Sequence, residues 1–414
     1  MSRLVVVGSG GAPYRRYAME ALADRYRLGL VLTAPPTWQT AYADAVEVVP
    51  PGDAAAVVRA VRRLAEPVGE ELGLLTWDEL VVEECAAAAA TLGLPAMSPD
   101  ATALCRDKLA TRRRLADAGL GSARFRHVHD VAGARAAAAA LGYPVVVKPR
   151  SLAGSAGVVL AADDDELVAA VAEVLGARYS TLPVRAGVLV EELLVGPEVS
   201  VDVATADGRG HVLQVTRKEV GFPPHFEEVA HVVRDYAGTD WYGPATQLAL
   251  AANAALGVRT GITHTEIRLT ARGPAVVEVN ARLAGDLIPY VGRVAGGVDQ
   301  VLVAAEVALG GTPGAPSPAT GVARVEFVYP PHDAVLRRLA TSAAAATPGV
   351  VDVIALAEPG DALRLPPRAV LGRVAALVVT GGSEEECAGV ARTARARLAV
   401  DLEPLGVPVA AAAS

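Results

Sequence analysis

Short apolar runs of strand length alternate along this chain with longer stretches whose apolar positions repeat at helical spacing. Leu4–Val7 reads as a strand, Gly8–Gly11 as a turn, Tyr14–Tyr26 as a helix and Leu28–Leu32 as a second strand. A βαβ opening of this kind predicts a parallel, Rossmann-like sheet. Leu72–Thr76 continues the strand pattern and Val81–Leu92 the helical one, with a loop and candidate boundary at Pro95–Pro99. Lys108–Ala118 reads as a helix stopped by Gly119, and Val131–Leu141 as an Ala-rich helix. Tyr143–Lys148 and Val158–Leu160 read as strands around the glycine-bearing loop Arg150–Gly157, and Asp164–Gly176 as a helix with acids in its first turn. Strands are expected at Val188–Leu193, Glu198–Ala204 and His211–Arg217, and a helix over Trp241–Leu256. Thr263–Leu269 and Pro274–Arg282 form an expected hairpin through Ala271, Arg272 and Gly273. After helix Gln300–Leu309, the Gly- and Pro-rich stretch Gly310–Pro318 reads as a linker. Beyond it, strands Ala323–Val328 and Arg373–Val379 alternate with helices His332–Thr341 and Ser383–Leu398, and the final PVAAAAS reads as frayed.

The last expected strand before that linker carries an unusual load. Glu278, Asn280 and Arg282 occupy every second position, so they project from one face. A carboxylate, an amide and a guanidinium beside buried valines are costly unless they meet partners. Glu266 lies on the preceding strand, and two carboxylates with an amide oxygen are hard ligands suited to magnesium holding nucleotide phosphates. Arg282 can then face an anionic substrate or a transferring phosphoryl group. The alternative is a solvated face with a Glu–Arg pair.

Two further stretches suit a nucleotide. In YPVVVKPRSLAGSAGVVL, Lys148 ends an apolar strand, and Gly154, Ser155 and Gly157 follow in a loop whose small residues let backbone N–H groups approach phosphate oxygens. The lysine precedes the loop, so this is not a Walker motif, and an ordinary hairpin with a surface lysine has the same pattern. In VLVEELLVGPEVSVDV, two strands flank a kink at Gly196 and Pro197, with Glu191, Glu192 and Glu198 around it. Such a kink can offer backbone groups to an adenine edge and a carboxylate to ribose hydroxyls; an acidic hairpin is the other reading.

Composition narrows the classes. A length of 414 residues predicts two to four domains. A net charge of −8 argues against a nucleic-acid partner. Cys85, Cys105 and Cys387 form no CxxC pair, which speaks against a zinc or disulfide framework and for a cytoplasmic location. The N-terminus is not expected to be a signal peptide, and no apolar run is long enough for a membrane. The opening turn lacks the third glycine of a dinucleotide fingerprint, where Pro13 stands, and no acid closes the second strand, so a nicotinamide enzyme loses both supports.

Taken in order, DKLATRRRLADAGL with Lys108, Lys148 with its glycine loop, VEELLVGPE, and the Glu266 then EVNAR pair resemble the ATP-grasp superfamily across about residues 100–290. GITHTEIRLT, VEVNARLAGDLIP, FEEVAHVV and LRLPPRAVLGRV narrow the resemblance to the L-amino acid ligases. The resemblance implies mixed α/β and α+β architecture: a Rossmann-like pre-ATP-grasp domain over 1–100, a two-subdomain ATP-grasp clamp over 101–185 and 186–312, and a small C-terminal α+β domain over 313–414. It also implies roles. Lys108 and Lys148 would bind ATP phosphates, with Ser155 and Gly157 in a lid; Glu191, Glu192 and Leu194 would form the adenine hinge; Glu198 would take the ribose. Glu266, Glu278 and Asn280 would hold magnesium, as two ions that manganese can replace. Glu228, His231 and Arg282 would line the substrate site, with either Glu228 or His231 as base. A proline common after that histidine in the subfamily is replaced here by Val232–Val233–Arg234.

The implied activity is ATP-dependent ligation of two amino acids through an acyl phosphate, with amino acids and ATP as small-molecule partners and a homodimer as the default assembly. Another ATP-grasp ligase or carboxylase of purine-pathway type, and a non-catalytic nucleotide sensor, remain as alternatives. The residues do not say which carboxyl is activated or which amine attacks.

Overall fold

The computed structural model describes residues 2–66, 71–314 and 317–405. Four sheets organise them. The first is parallel, in the order Ala45–Val48, Arg27–Leu32, Arg3–Val7, Leu72–Leu75. All five residues of Arg3–Val7 are buried, as a parallel strand covered on both faces must be. Helices Ala54–Leu64 and Val82–Leu92 pack on one face, and Ala12–Ala23 and Gln300–Ala308 meet on the other side. The last of these comes from the far side of the chain and ties the first domain to the rest.

The second sheet is antiparallel, ordered Phe125–Val128, Val188–Glu192, Val145–Pro149, Val159–Ala161. Helices Val131–Leu141 and Asp164–Gly176 cover it through Ala134, Ala138, Leu167 and Val171. Strand Val188–Glu192 thus sits in this sheet, although the expected subdomain boundary at 185/186 placed it in the next. The third sheet has eight antiparallel strands: Gly273–Asn280, Gly261–Thr270, Glu198–Ala206, Arg209–Gly221, Glu227–Val233, Val322–Val328, Ala375–Gly381 and Val350–Ala355. It runs without a break across the expected boundary at 312/313, because Glu227–Val233 pairs directly with Val322–Val328.

One expected element is overturned. The stretch His332–Thr341 was expected to be a helix, since Ala, Leu and Arg favour helices. Ala334–Ala340 is instead the middle strand of a three-stranded sheet, between Ala362–Leu363 and Ala399–Pro404. Pairing on both edges and burial of Ala334 and Leu336 outweigh the local preference. Helix Pro99–Arg106, at the expected loop boundary, has Ser98 as its N-cap, with the side chain accepting from Ala101 N. The PVAAAAS tail lies outside the described residues, as do 315–316 of the expected linker. No helix among the described residues is long and apolar enough to cross a membrane.

Candidate active site

A cavity of about 740 Å³ opens where the three larger sheets converge. Lys108, Lys148, Ser155, Glu191, Glu192, Leu194, Glu198, Glu228, Glu266, Glu278, Asn280 and Arg282 all line it. Segments up to 174 residues apart in sequence therefore share one wall. Two residues singled out from the sequence do not reach it. Gly157 (φ +70°) turns the loop against Ala177, where a Cβ would lie 2.7 Å from the Ala177 Cβ. His231 is fully buried behind Glu228, so it can act only through that carboxylate.

The hairpin register explains one end of the site. Glu266 pairs with Glu278 and His264 with Asn280, so these side chains lie beside one another on adjacent strands. Their charges are balanced by lysines from other elements. Lys108 Nζ donates to Glu278 at 2.9 Å and to the Leu152 carbonyl at 2.7 Å. Lys218 Nζ lies 2.6 Å from Glu266, 2.6 Å from Glu228 and 3.3 Å from Glu198. Burial opposes the charge on Lys218, but the three carboxylates outweigh it and hold the ammonium well above its ordinary pKa. Burial likewise raises Glu266, yet Lys218 and His264 prevail and keep it well below the usual range. For Glu198 burial wins, and its carboxyl is raised.

Lys218 was not legible as a site residue. A single lysine near the end of a strand reads as surface decoration. Its neighbours in the sheet are Glu198 on one side and His231 on the other, and that register turns it inward. Glu79 was missed for a similar reason: it sits in a loop with no motif around it. It accepts from both Arg282 and Arg106. Burial would raise it, but those arginines hold its carboxyl down at about 2.

Behind the cavity, Arg112 donates to both oxygens of Glu191 (2.8 and 3.0 Å) and to the Val277 carbonyl (2.7 Å). Lys148 lies 2.8 Å from the same Glu191 carboxylate. Burial, with repulsion from Arg112, lowers the Lys148 pKa to about 8. Glu192 points the other way, as its strand position requires, and accepts from Arg124 and Arg272. Both carboxylates expected at an adenine hinge are thus occupied, which leaves only the backbone of that segment for a base edge. Ser155 donates to the Phe226 carbonyl at 2.8 Å, holding the glycine loop against the next sheet.

At the cavity's other end, His231 Nε2 lies 3.0 Å from Glu228 and 3.7 Å from Asp286. These three residues bring ligand atoms within 4.8 Å of one another. Their charge is already met, because Arg373 donates to Asp286 at 2.7 Å and Lys218 holds Glu228. Arg373 also donates to the Glu228 carbonyl (2.9 Å) and the Tyr329 hydroxyl (2.8 Å), so the C-terminal segment closes this side. His264 Nδ1 lies 2.7 Å from Asp202, and that contact outweighs burial to raise its pKa to about 9.

Residues 141–290 match the family model of the ATP-grasp domain. An uncharacterised protein of Sinorhizobium fredii is 31% identical over 268 residues, 64% of this chain and 55% of that protein. The alanine–anticapsin ligase of Bacillus subtilis is 28% identical over 261 residues, 58% of this chain and 54% of that enzyme. The crystal structure of an L-amino acid ligase from Bacillus licheniformis has a TM-score of 0.79 at 22% identity, over 97% of this chain and 99% of that one. The chain spans about half the length of these curated relatives, and the structural likeness concerns the fold. The chain carries an ATP-grasp domain, and its resemblance to the L-amino acid ligases stands.

Proposed function

We propose that this ATP-grasp protein is an ATP-dependent ligase that joins two amino acids, activating one carboxylate as an acyl phosphate and releasing ADP and phosphate. The observation that carries the reading is the single cavity wall shared by Lys108, Lys148, Glu266, Glu278, Asn280 and Arg282. A carboxylate has too poor a leaving group to acylate an amine at neutral pH, so it needs phosphorylation, and positioning with charge neutralisation then dominates. Lys108 and Lys148 would hold the phosphates, with Ser155 in the covering loop. Leu194 would offer its backbone to adenine, and Glu198, anchored by Arg268 at 2.7 Å, would take the ribose.

Glu266, Glu278 and Asn280 suit magnesium. They offer hard oxygens, and both carboxylates already turn towards ammonium groups that a divalent cation can replace or join. The ion would supply charge neutralisation of the phosphates. Arg282 would orient the carboxylate being activated and steady the charge that develops on it. The attacking amine must arrive neutral; Glu228 is the carboxylate placed to accept its proton, although burial is outweighed by Lys218 and His231, which hold its pKa low. Exclusion of water by the loop would protect the acyl phosphate from hydrolysis.

A pairwise amino-acid screen for phosphate release, with mass spectrometry of products, tests the reading. Release that depends on two amino acids and needs no bicarbonate supports it. Release with bicarbonate alone, or no turnover with any pair, overturns it. The Lys148 pKa of about 8 adds a pH signature. The ammonium is charged below that value and neutral above it, so nucleotide affinity is expected to fall as pH rises past about 8. The same depressed value makes this residue's own contribution to stability increase with pH between about 8 and 10.5, since the unfolded chain there binds more protons. Calorimetric titration of ATP at pH 7 and pH 9 checks the first; equal affinities would show that Lys148 does not meet the phosphates.

A further inference from the structure

Four segments remote in sequence meet around one buried carboxylate beside Arg282. Glu79 Oε2 accepts from Arg282 Nε, and Glu79 Oε1 accepts from Arg106 Nη1. Arg106 ends helix Pro99–Arg106, and its Nη2 donates to the Ser151 carbonyl at 3.0 Å, at the root of the glycine loop. We propose that Glu79 and Arg106 are positioning residues: Glu79 fixes the plane of Arg282, and Arg106 ties that plane to the root of the loop that covers the nucleotide. The proposal rests on the ligase reading, in which Arg282 orients the carboxylate being activated.

A guanidinium is planar, so bonds at two of its nitrogens fix where the third points. Arg282 Nε is held by Glu79, and its Nη1 donates to the Leu283 carbonyl at 2.8 Å. Its Nη2 makes no hydrogen bond among the described residues, and Arg282 lines the cavity, so Nη2 is the end left for an anion. Charge points the same way. Two guanidinium groups share one carboxylate, which leaves one positive charge in excess. Of the two arginines only Arg282 lines the cavity, while Arg106 has a side chain 4% exposed. Both oxygens of Glu79 are engaged, so it acts through Arg282.

The loop that carries Glu79 is itself braced. Thr76 Oγ1 donates to the Val7 carbonyl at 2.6 Å, and Asp78 N donates to Thr76 Oγ1 at 3.0 Å. Leu80 N donates to Asp78 Oδ1 at 3.0 Å, and the Leu80 side chain packs with Leu152, Ala156 and Leu182 around the glycine loop. Ser151 is 2% exposed, and its hydroxyl donates to the Pro183 carbonyl at 2.8 Å. Two cations thus each hold one loop carbonyl and one acid of the cavity wall. Arg106 holds Ser151 and Glu79; Lys108 holds Leu152 and Glu278. A shift of the loop root strains both chains, so Arg282 keeps its plane only while the loop is in place. This order limits waste: an acyl phosphate formed under an open loop meets water and returns the free acid and phosphate, with ATP spent and no peptide made.

The test compares Glu79→Gln, Glu79→Asp and Arg106→Lys, with dipeptide and phosphate measured together. In Glu79→Gln the kcat for dipeptide is expected to fall about 10²-fold, the effect of misplacing a positioned group by an ångström, while the KM for ATP stays unchanged. Glu79→Asp keeps the charge on a shorter arm and should recover part of the loss. Arg106→Lys replaces a two-armed fork by a single point, so phosphate released per dipeptide should rise about tenfold, the effect of one lost charged hydrogen bond. A merely structural role would not change that ratio. An unchanged kcat in Glu79→Gln, or a loss of ATP affinity equal to the loss of kcat, would overturn the role of Glu79. An unchanged ratio in Arg106→Lys would overturn the link to the loop. Absence of turnover in the native protein with every amino-acid pair would sink the ligase reading itself. Amide exchange of the full chain with magnesium and a non-hydrolysable ATP analogue would then decide the link alone. Slowed exchange over 150–157 and 281–286 in the native protein, lost over 281–286 in Arg106→Lys, supports it. The same slowing in both proteins, or in neither, overturns it.

Discussion

Lys218→Met is expected to abolish ligation and to destabilise the fold by about 3–5 kcal/mol at neutral pH, the range for removing one partner of a buried ion network. The substitution keeps the side chain's length and apolar stem while removing its charge. Glu198, Glu228 and Glu266 would then share a buried pocket with no ammonium between them. Like charges in low dielectric cannot all stay ionised, so at least one would take up a proton. The pH dependence follows from the lowered values of Glu266 and Glu228. Their contribution is present above the ordinary carboxylate pKa and is lost as pH falls through the depressed folded values. The gap between native protein and variant should therefore be widest near neutrality and narrow in acid. Denaturant unfolding of both proteins across that range measures it. A gap below about 0.5 kcal/mol at pH 7, the scatter of an ordinary surface substitution, would show that the three carboxylates do not depend on Lys218.

Arg282→Ala should lower kcat by at least about 10²–10³, the range for losing one donor aimed at developing charge. Nucleotide binding should remain, because Lys108 and Lys148 stand on other elements and keep their partners Glu278 and Glu191. Glu79 would lose one of its two arginines and retain Arg106, so its pKa should move up from about 2 without the site collapsing. Dipeptide formation by mass spectrometry and ATP binding by calorimetry separate the two effects. Undiminished dipeptide yield would remove Arg282 from the chemistry; loss of ATP binding would make it a structural residue of the clamp.

Much of the site was readable before any coordinates. Alternation placed Glu278 and Asn280 on one face of Gly273–Asn280, and both line the cavity; Arg282, expected on the same strand, lines it from the bend just past the strand's end. The lysine before a glycine loop and the acidic pair of strands were readable because period-2 patterning and small residues are local properties. Other features were not local. Lys218 turns inward only because sheet register sets it between Glu198 and His231. Glu79 meets Arg282 across 203 positions of sequence, and Arg373 reaches Asp286 across 87. The resemblance to the L-amino acid ligases implied that His231 lines the substrate site with Glu228, yet the strand buries it behind that carboxylate.

Periodicity along the backbone thus fixes which face a side chain takes, and the chain alone was enough to single out Glu266, Glu278, Asn280, Lys148 and Ser155, which line one cavity. Which charge neutralises which depends on distances between segments remote in sequence. Those distances arise only when the sheets converge, the eight-stranded one from Gly273–Asn280 through to Val350–Ala355 against the four-stranded one that carries Lys148 and Glu191. Folding therefore decided that Lys218 sits among three acids, that Arg112 and Lys148 share Glu191, and that Arg106 and Arg282 share Glu79. The physical reason is that a pairing of buried charges is a property of space, where a few ångströms separate a satisfied ion from a costly one.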